Sequence, residues 1–121
     1  MEDNRLKNKN FVASWKNAFS GIWYSIKTQT NLKIQLVIAI IVICLAIIFK
    51  LSIIEYIFLT FSIMLVIITE VINTAIEAVV DLCTKEYHPI AKIAKDVAAG
   101  AVVLASLNAV IIAILIAIRK I

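Results

Sequence analysis

Three long apolar stretches divide this sequence, and they run from Leu36 to Phe49, from Tyr56 to Ile68 and from Val97 to Ile118. The third stretch alone can cross about 30 Å of hydrocarbon, and the first two reach that length with their flanks. A backbone in lipid must satisfy its own hydrogen bonds, so we expect helices. We expect the spans at about residues 32–50, 53–81 and 96–118.

The second of these helices is expected to continue past the apolar stretch as far as Asp81. From residue 69 onward, apolar and polar positions alternate at helical spacing. At about 100° per residue, Glu70, Glu77 and Asp81 fall within roughly 40° of one another. Asn73 and Thr74 lie on either side of them. One long helix therefore carries a row of polar side chains out of the membrane.

The segment before the first span has the spacing of an amphipathic helix, with apolar residues at 11, 15, 19, 22 and 26. Two Trp and a Tyr in this segment suit the lipid interface. The pattern predicts a surface helix over about residues 11–28. A helix packed against the protein's own spans is the alternative, and the two interpretations are compatible.

Composition and charge support a membrane protein with a defined orientation. The chain has 121 residues, 63% of them hydrophobic, which one small soluble core cannot bury. We expect a single domain over residues 1–121. Of the twelve Lys and Arg, six lie in the first 33 residues and three in the second link, against three elsewhere. This bias predicts a multi-pass protein of the cell membrane with a cytoplasmic N-terminus.

The polar row is costly at a membrane boundary unless it binds something or faces water. A partly desolvated carboxylate such as Glu70 can act as a general base, and Glu77, deeper in the cytoplasm, can hold a hard cation such as Mg²⁺. Lys95 can neutralise phosphate charge. This combination fits phosphoryl transfer to a lipid hydroxyl. The alternative is that the polar side chains only join helices in an oligomer.

Three motifs carry a resemblance to a known family, and they are Glu70-Val-Ile-Asn-Thr-Ala-Ile-Glu-Ala-Val-Val-Asp81, Glu86-Tyr-His88 and Ala94-Lys-Asp96. The sequence resembles the bacterial diacylglycerol kinase / undecaprenol kinase family, densely over residues 70–104 and more loosely back to Phe11. The resemblance implies a surface helix, three spans and a homotrimer with active sites at subunit boundaries. It also implies that ATP and Mg²⁺ serve to phosphorylate a membrane lipid alcohol.

The same resemblance implies roles for individual residues. Glu70 corresponds to the family's catalytic base and, with Ala99, to the lipid substrate site. Glu77 corresponds to a metal ligand. The positions that correspond to ATP binding are Asn17, Gln29, Asn73, Glu77, Glu86, Tyr87, His88, Lys95 and Asp96. No role is assigned to Asp81.

One position departs from the family pattern. Gln29 stands where the family has a Glu that helps Glu77 to hold the metal. A Gln oxygen can coordinate a cation but brings no charge. We therefore expect weaker metal binding at Gln29 than in the family.

The lipid substrate is the least determined part of the interpretation. Asn73-Thr74 and Lys92-Ile-Ala-Lys95 resemble the Gram-positive branch of the family, which favours undecaprenol; the alternative is diacylglycerol. The rivals from another class are a non-enzymatic small membrane oligomer, such as a transporter or an ion-conducting subunit, and a membrane scaffold protein. A transporter needs a polar path through the whole span, and Thr60 and Ser62 are the only polar residues between Glu55 and Thr69.

Overall fold

The computed structural model describes residues 2–121, and their side chains from residue 9 onward. Over this range the chain forms four helices and no strands. The helices are α1 (Glu2–Thr28), α2 (Thr30–Ile48), α3 (Ile53–Cys83) and α4 (Pro89–Lys120). Helices α2, α3 and α4 are long and apolar enough to cross a membrane. The predicted all-α fold with three spanning helices is confirmed.

Local sequence explains where the helices turn. After α2, Lys50 adopts the left-handed backbone conformation (φ 53°), and this lets the chain reverse into α3. Helix α3 then begins with a capping box, in which Ser52 and Glu55 each bond to the other's backbone N–H, at 3.2 and 3.0 Å. Helix α4 begins at Pro89, and the backbone N–H of Ile90 donates to Nδ1 of His88 at 3.1 Å.

Helix α3 lies at the centre, and α2 and α4 both pack against it. Helices α3 and α4 are antiparallel, because Glu55 meets Lys120 at one end and Asp81 meets Lys95 at the other. Helix α2 is also antiparallel to α3. The end that holds α1, the start of α2 and the start of α4 is called the α1 end below.

Helices α2 and α4 stand apart from each other on α3 within the described range. Two cavities of about 280 and 270 Å³ lie between them, and their walls are almost entirely apolar. Gln35 stands in the wall of the second cavity, on the side of the α1 end. Most large apolar side chains of the three long helices are exposed in the single chain, as lipid or a second chain would require.

Helix α1 combines a packed end with a free aromatic face. Ser25 is buried where α1 meets α2 and α3. Phe11, Trp15 and Phe19 remain more than half exposed, with ring centroids 6.2 and 5.9 Å apart along the helix. The last turns of α1 therefore pack on the protein, as the alternative interpretation expects, and the exposed aromatic face is compatible with the predicted position at the lipid interface.

Candidate functional site

The polar row of α3 lies at the α1 end and faces the rest of the chain. Glu70 is only 2% exposed and Asn73 6% exposed, although both are strongly polar. Thr74 is buried beside them, and its hydroxyl donates to the backbone oxygen of Glu70 at 3.0 Å. Burial of these groups is costly without hydrogen-bond partners, so their surroundings decide what they can do.

Among the described side chains, one donates a hydrogen bond to the carboxylate of Glu70. Nε2 of Gln35, on α2, lies 3.5 Å from Oε2 of Glu70, which is the outer limit of a hydrogen bond. Oε1 of Gln35 is buried and has no partner among the described residues. The Glu70 carboxylate is therefore held loosely, by a side chain that also stands in the wall of the second apolar cavity.

Glu77 is held more closely, by two amides. Nδ2 of Asn73 donates to Oε1 of Glu77 at 3.1 Å, and Nε2 of Gln29 donates to Oε2 at 3.2 Å. Gln29 is the residue between α1 and α2, so its side chain reaches α3 from the junction of the two helices. The structure thus brings together three residues that the sequence assigned to one site.

This donor set suits a hard divalent cation that is shared with phosphate. Within residues 9–121 no group of three or more His, Cys, Asp or Glu side chains forms a metal site. Mg²⁺, however, is often bound through one or two carboxylates together with substrate phosphates. Oδ1 of Asn73 is buried and has no partner among the described side chains. Nε2 of Gln29 now faces the Glu77 carboxylate, and rotation of this amide would present a second oxygen there. The residues fit Mg²⁺ at Glu77, with a single protein charge.

Lys95 lies in the polar beginning of α4, ahead of the apolar stretch. Its ammonium donates to Oδ1 of Asp81 at 2.8 Å and so joins α3 to α4. Hydrogen bonding to Asp81 raises the pKa of Lys95 above its ordinary value, and the charge of Glu77 adds to the effect. The next residue, Asp96, pairs with Lys92 one turn earlier on α4.

The link between α3 and α4 is exposed and has its own local order. The Thr84 hydroxyl accepts from the backbone N–H of Glu86 at 3.2 Å. Tyr87 is 79% exposed. His88 caps α4 through Nδ1, which leaves Nε2 as the ring's free donor. Residues 85–88 of the link are therefore exposed at the α1 end, where Lys95 also lies.

Two predicted site residues lie outside this cluster. Asn17 is exposed on α1 and has no hydrogen bond to the α3 row in the part of the chain with described side chains. Ala99 is exposed on α4. Conversely, the sequence did not single out Gln35. Its signal was a lone amide between Ile34 and Leu36 in an otherwise apolar run.

The fold and this cluster define a small multi-pass membrane protein with an acidic and amide-lined site at one end of its helices. The family model for prokaryotic diacylglycerol kinase matches residues 16–117. The chain belongs to the prokaryotic diacylglycerol kinase family and is therefore a lipid kinase by class.

Curated relatives carry two different names. The chain is 38% identical to an undecaprenol kinase of Bacillus subtilis, over 98% of this chain and 97% of that one. It is 43% identical to a diacylglycerol kinase of a Synechocystis strain, over 85% of this chain but 59% of that one. It is 52% identical to a diacylglycerol kinase of Escherichia coli over 50 residues, 41% of each chain. The chain thus spans little more than half of the Synechocystis relative.

Proposed function

We propose that this protein transfers the γ-phosphate of ATP to the hydroxyl of undecaprenol, with Mg²⁺ held at Glu77. The observation that carries the proposal is that the two carboxylates of α3, Glu70 and Glu77, differ in their hydrogen bonding. Glu70 is 2% exposed and has one long contact, whereas both oxygens of Glu77 are fixed by amides. A loosely held carboxylate, whose one contact Gln35 lines an apolar cavity, suits a base that takes a proton from a lipid hydroxyl.

The remaining roles follow the same division. Glu77, with the oxygens of Asn73 and Gln29, would hold Mg²⁺, which neutralises phosphate charge when bound. Lys95, which lies on α4, would bind the phosphate groups of ATP. Nucleotide binding is further assigned to exposed residues at the α1 end, namely Asn17, Glu86, Tyr87, His88 and Asp96. Ala99 is assigned to the lipid, together with Glu70.

The choice of undecaprenol as the substrate rests on how much of each chain the sequence match covers. The Bacillus subtilis undecaprenol kinase matches nearly the whole of both chains. The alternative substrate, diacylglycerol, is favoured by the higher identity to the Synechocystis and Escherichia coli diacylglycerol kinases, over smaller shares of their lengths. The non-enzymatic rivals lose their support, because the chain belongs to a kinase family.

We further propose a homotrimer, because α3 carries an apolar stripe that its own chain leaves uncovered. The stripe lies opposite the Glu70–Glu77 face and repeats at alternating steps of four and three residues, the spacing of helices that pack along one another. Its members, here called the α3 stripe, are Ile54, Phe58, Phe61, Leu65, Ile68, Ile72, Ala75, Val79 and Leu82, all exposed in the single chain.

The α3 stripe continues beyond the apolar part of the helix, and this continuation supports a protein partner rather than lipid. Leu82 is 86% exposed and Val79 58% exposed, although they lie in the turns of α3 that also carry Glu77 and Asp81 and that lie toward water in the proposed orientation. Exposed apolar side chains outside the hydrocarbon are normally covered by another protein surface. Three copies of α3 packed along the stripe would cover them.

The α1 end is proposed to face the cytoplasm. Nine of the twelve Lys and Arg lie before residue 34 or between residues 85 and 95, which all belong to the α1 end, and three lie at the opposite end. The excess of basic residues on one side marks the cytoplasmic side of a membrane protein. This orientation places Glu77 and Lys95 where ATP is available.

The proposal is tested with the purified protein in lipid vesicles, supplied with Mg²⁺ and ATP labelled at the γ-phosphate. Undecaprenol and a diacylglycerol are compared at equal mole fractions. We expect label in undecaprenyl phosphate, with the larger kcat/KM for undecaprenol. Faster labelling of diacylglycerol would transfer the assignment to that lipid, and labelling of neither would contradict the proposed activity.

A further inference from the structure

Asp81 is the one charged member of the polar row to which the proposed function gives no role. It lies one helical turn beyond Glu77, close to the end of α3 at Cys83. Its Oδ1 accepts from Nζ of Lys95 at 2.8 Å, across the five-residue link that joins α3 to α4. Among the side chains from residue 9 onward, this is the only ion pair between α3 and α4 at the α1 end.

Stability is a poor explanation for this pair. The side chains of Lys95 and Asp81 are 43% and 55% exposed. Ion pairs between exposed side chains contribute little, because water screens the charges and two long side chains must be ordered. Backbone packing along α3 and α4 already joins these helices. The effect of the pair must therefore be sought in what it does to Lys95.

The pair fixes a side chain that would otherwise be mobile. A Lys side chain has four rotatable bonds, and holding it in one arrangement costs up to about 2 kcal/mol of conformational entropy. Because Asp81 already orders the Lys95 side chain in the protein without ligand, binding of a ligand does not have to supply that free energy. The ammonium has three N–H donors, and Asp81 accepts one of them. The other two donors remain available for phosphate oxygens. Glu77 lies near them, one turn before Asp81 on α3.

We infer that Asp81 is a positioning residue for the phosphate group of ATP: it holds the Lys95 ammonium beside the Glu77 cation site and leaves two of its donors free for phosphate oxygens. This inference rests on the proposed function, in which Lys95 binds phosphate. Asp81 itself touches no substrate. Its contribution is made through Lys95, and it should disappear when Lys95 is removed.

The test is a double-mutant cycle on the full protein in vesicles, with Asp81→Asn, Lys95→Met and the double variant. Asp81→Asn should raise KM for ATP about tenfold and leave kcat and KM for the lipid nearly unchanged, because the lost pre-ordering weakens ground and transition states alike. Adding Asp81→Asn to Lys95→Met should change nothing further. Asp81→Glu, which keeps the charge, should restore most of the ATP affinity.

The outcomes separate this inference from the function on which it depends. If Lys95→Met raises KM for ATP but Asp81→Asn does not, or if the two effects add in the double variant, Asp81 does not act through Lys95. If Lys95→Met itself leaves KM for ATP unchanged, the phosphate-binding assignment of Lys95 fails first. Unchanged thermal unfolding and elution of Asp81→Asn show that the effect is not a loss of fold, and Asp81→Ser repeats the measurement with a different side chain.

Discussion

At the scale of single residues, the carboxylate of Glu77 has unusual neighbours. Both of its oxygens accept from amides, those of Asn73 and Gln29, and these three side chains together carry one negative charge. An amide can offer either its nitrogen to a carboxylate or its oxygen to a cation. In the structure the nitrogens point at Glu77. For Gln29 to bind a cation beside Glu77, its amide must therefore rotate so that the oxygen replaces the nitrogen. That oxygen is uncharged, so the rotation adds no negative charge to the cation site.

The first prediction concerns this missing charge. In Gln29→Glu, two carboxylates would lie within hydrogen-bond distance, where they repel each other unless a cation lies between them. We expect the Mg²⁺ concentration that gives half-maximal activity to fall about tenfold, because affinity follows the number of charged ligands. The measurement is a Mg²⁺ titration of lipid phosphorylation at saturating ATP.

A matched control is Gln29→Met, which removes the amide without adding charge and should not lower the Mg²⁺ requirement. Thermal unfolding gives an independent readout, since Gln29→Glu should be less stable than the natural protein without Mg²⁺ and recover when Mg²⁺ is added. An unaltered Mg²⁺ requirement in Gln29→Glu would count against the assignment of Gln29 to the metal site.

The residues of this site that share one helix could be predicted from the sequence, whereas their partners on other helices could not. Glu70, Asn73 and Glu77 follow from helical spacing on one element, so their common face could be predicted. Gln35 and the partner of Asp81 depend on how α2 and α4 are packed against α3. Which side chains meet across two helices is set by the turns between them, and spacing within one helix does not contain that information.

At the scale of helices, an ion pair between a buried carboxylate and a partly exposed ammonium joins α3 to α4 at the end opposite to the site. Nζ of Lys120, at the end of α4, lies 3.2 Å from Oε1 of Glu55, in the first turn of α3. The Glu55 side chain is 5% exposed, and its Oε2 has no partner among the side chains that are described. A buried carboxylate depends on its cation more than an exposed one does.

The second prediction follows from that dependence. Lys120→Met keeps a long side chain but leaves the buried Glu55 carboxylate without a cation, and we expect the unfolding temperature in detergent to fall by about 5 °C. Glu55→Gln removes the charge instead and should cost less. Arg119→Met, at the neighbouring exposed position, is the control. Equal effects of the Lys120 and Arg119 variants would show that the ion pair does not hold the two helices.

The helices themselves were largely predictable, and their ends less so. The three apolar runs predicted three long helices because lipid leaves the backbone no other partner. Helix α4, however, begins at Pro89 and not near residue 96, because His88 caps it and Pro89 suits a first helical turn. Helix α1 begins at Glu2 and not near residue 11. The polar residues before Phe11 carry no apolar pattern from which that start could be predicted.

At the scale of the whole molecule, assembly is the property that the single chain least explains. The α3 stripe leaves large apolar side chains uncovered along nearly the whole of α3, from Ile54 to Leu82. The third prediction is that Leu82→Lys reduces trimer formation, because a charge at the end of the stripe would be buried against two copies of itself. Light scattering coupled to gel filtration in mild detergent measures the number of chains per particle.

Ile93→Lys is the control for this assembly experiment, since Ile93 is also an exposed apolar residue, on α4 and away from the stripe. It should leave the number of chains unchanged. The reverse result, in which Ile93→Lys separates the chains and Leu82→Lys does not, would place the interface on α4.

The central claim is that Glu70 acts as the base in phosphoryl transfer from ATP to a lipid hydroxyl. It is tested most directly by Glu70→Gln in vesicles that contain undecaprenol, with transfer of the labelled γ-phosphate and ATP binding measured on the same preparation. Ser62→Ala is the control, because Ser62 is buried on α3 and its hydroxyl, among the residues with described side chains, bonds only to the backbone oxygen of Phe58. We predict that Glu70→Gln binds ATP normally and loses at least about 100-fold in the transfer rate, as expected for a lost general base, while Ser62→Ala remains active. A Glu70→Gln protein that transfers phosphate at close to the natural rate would contradict the assignment.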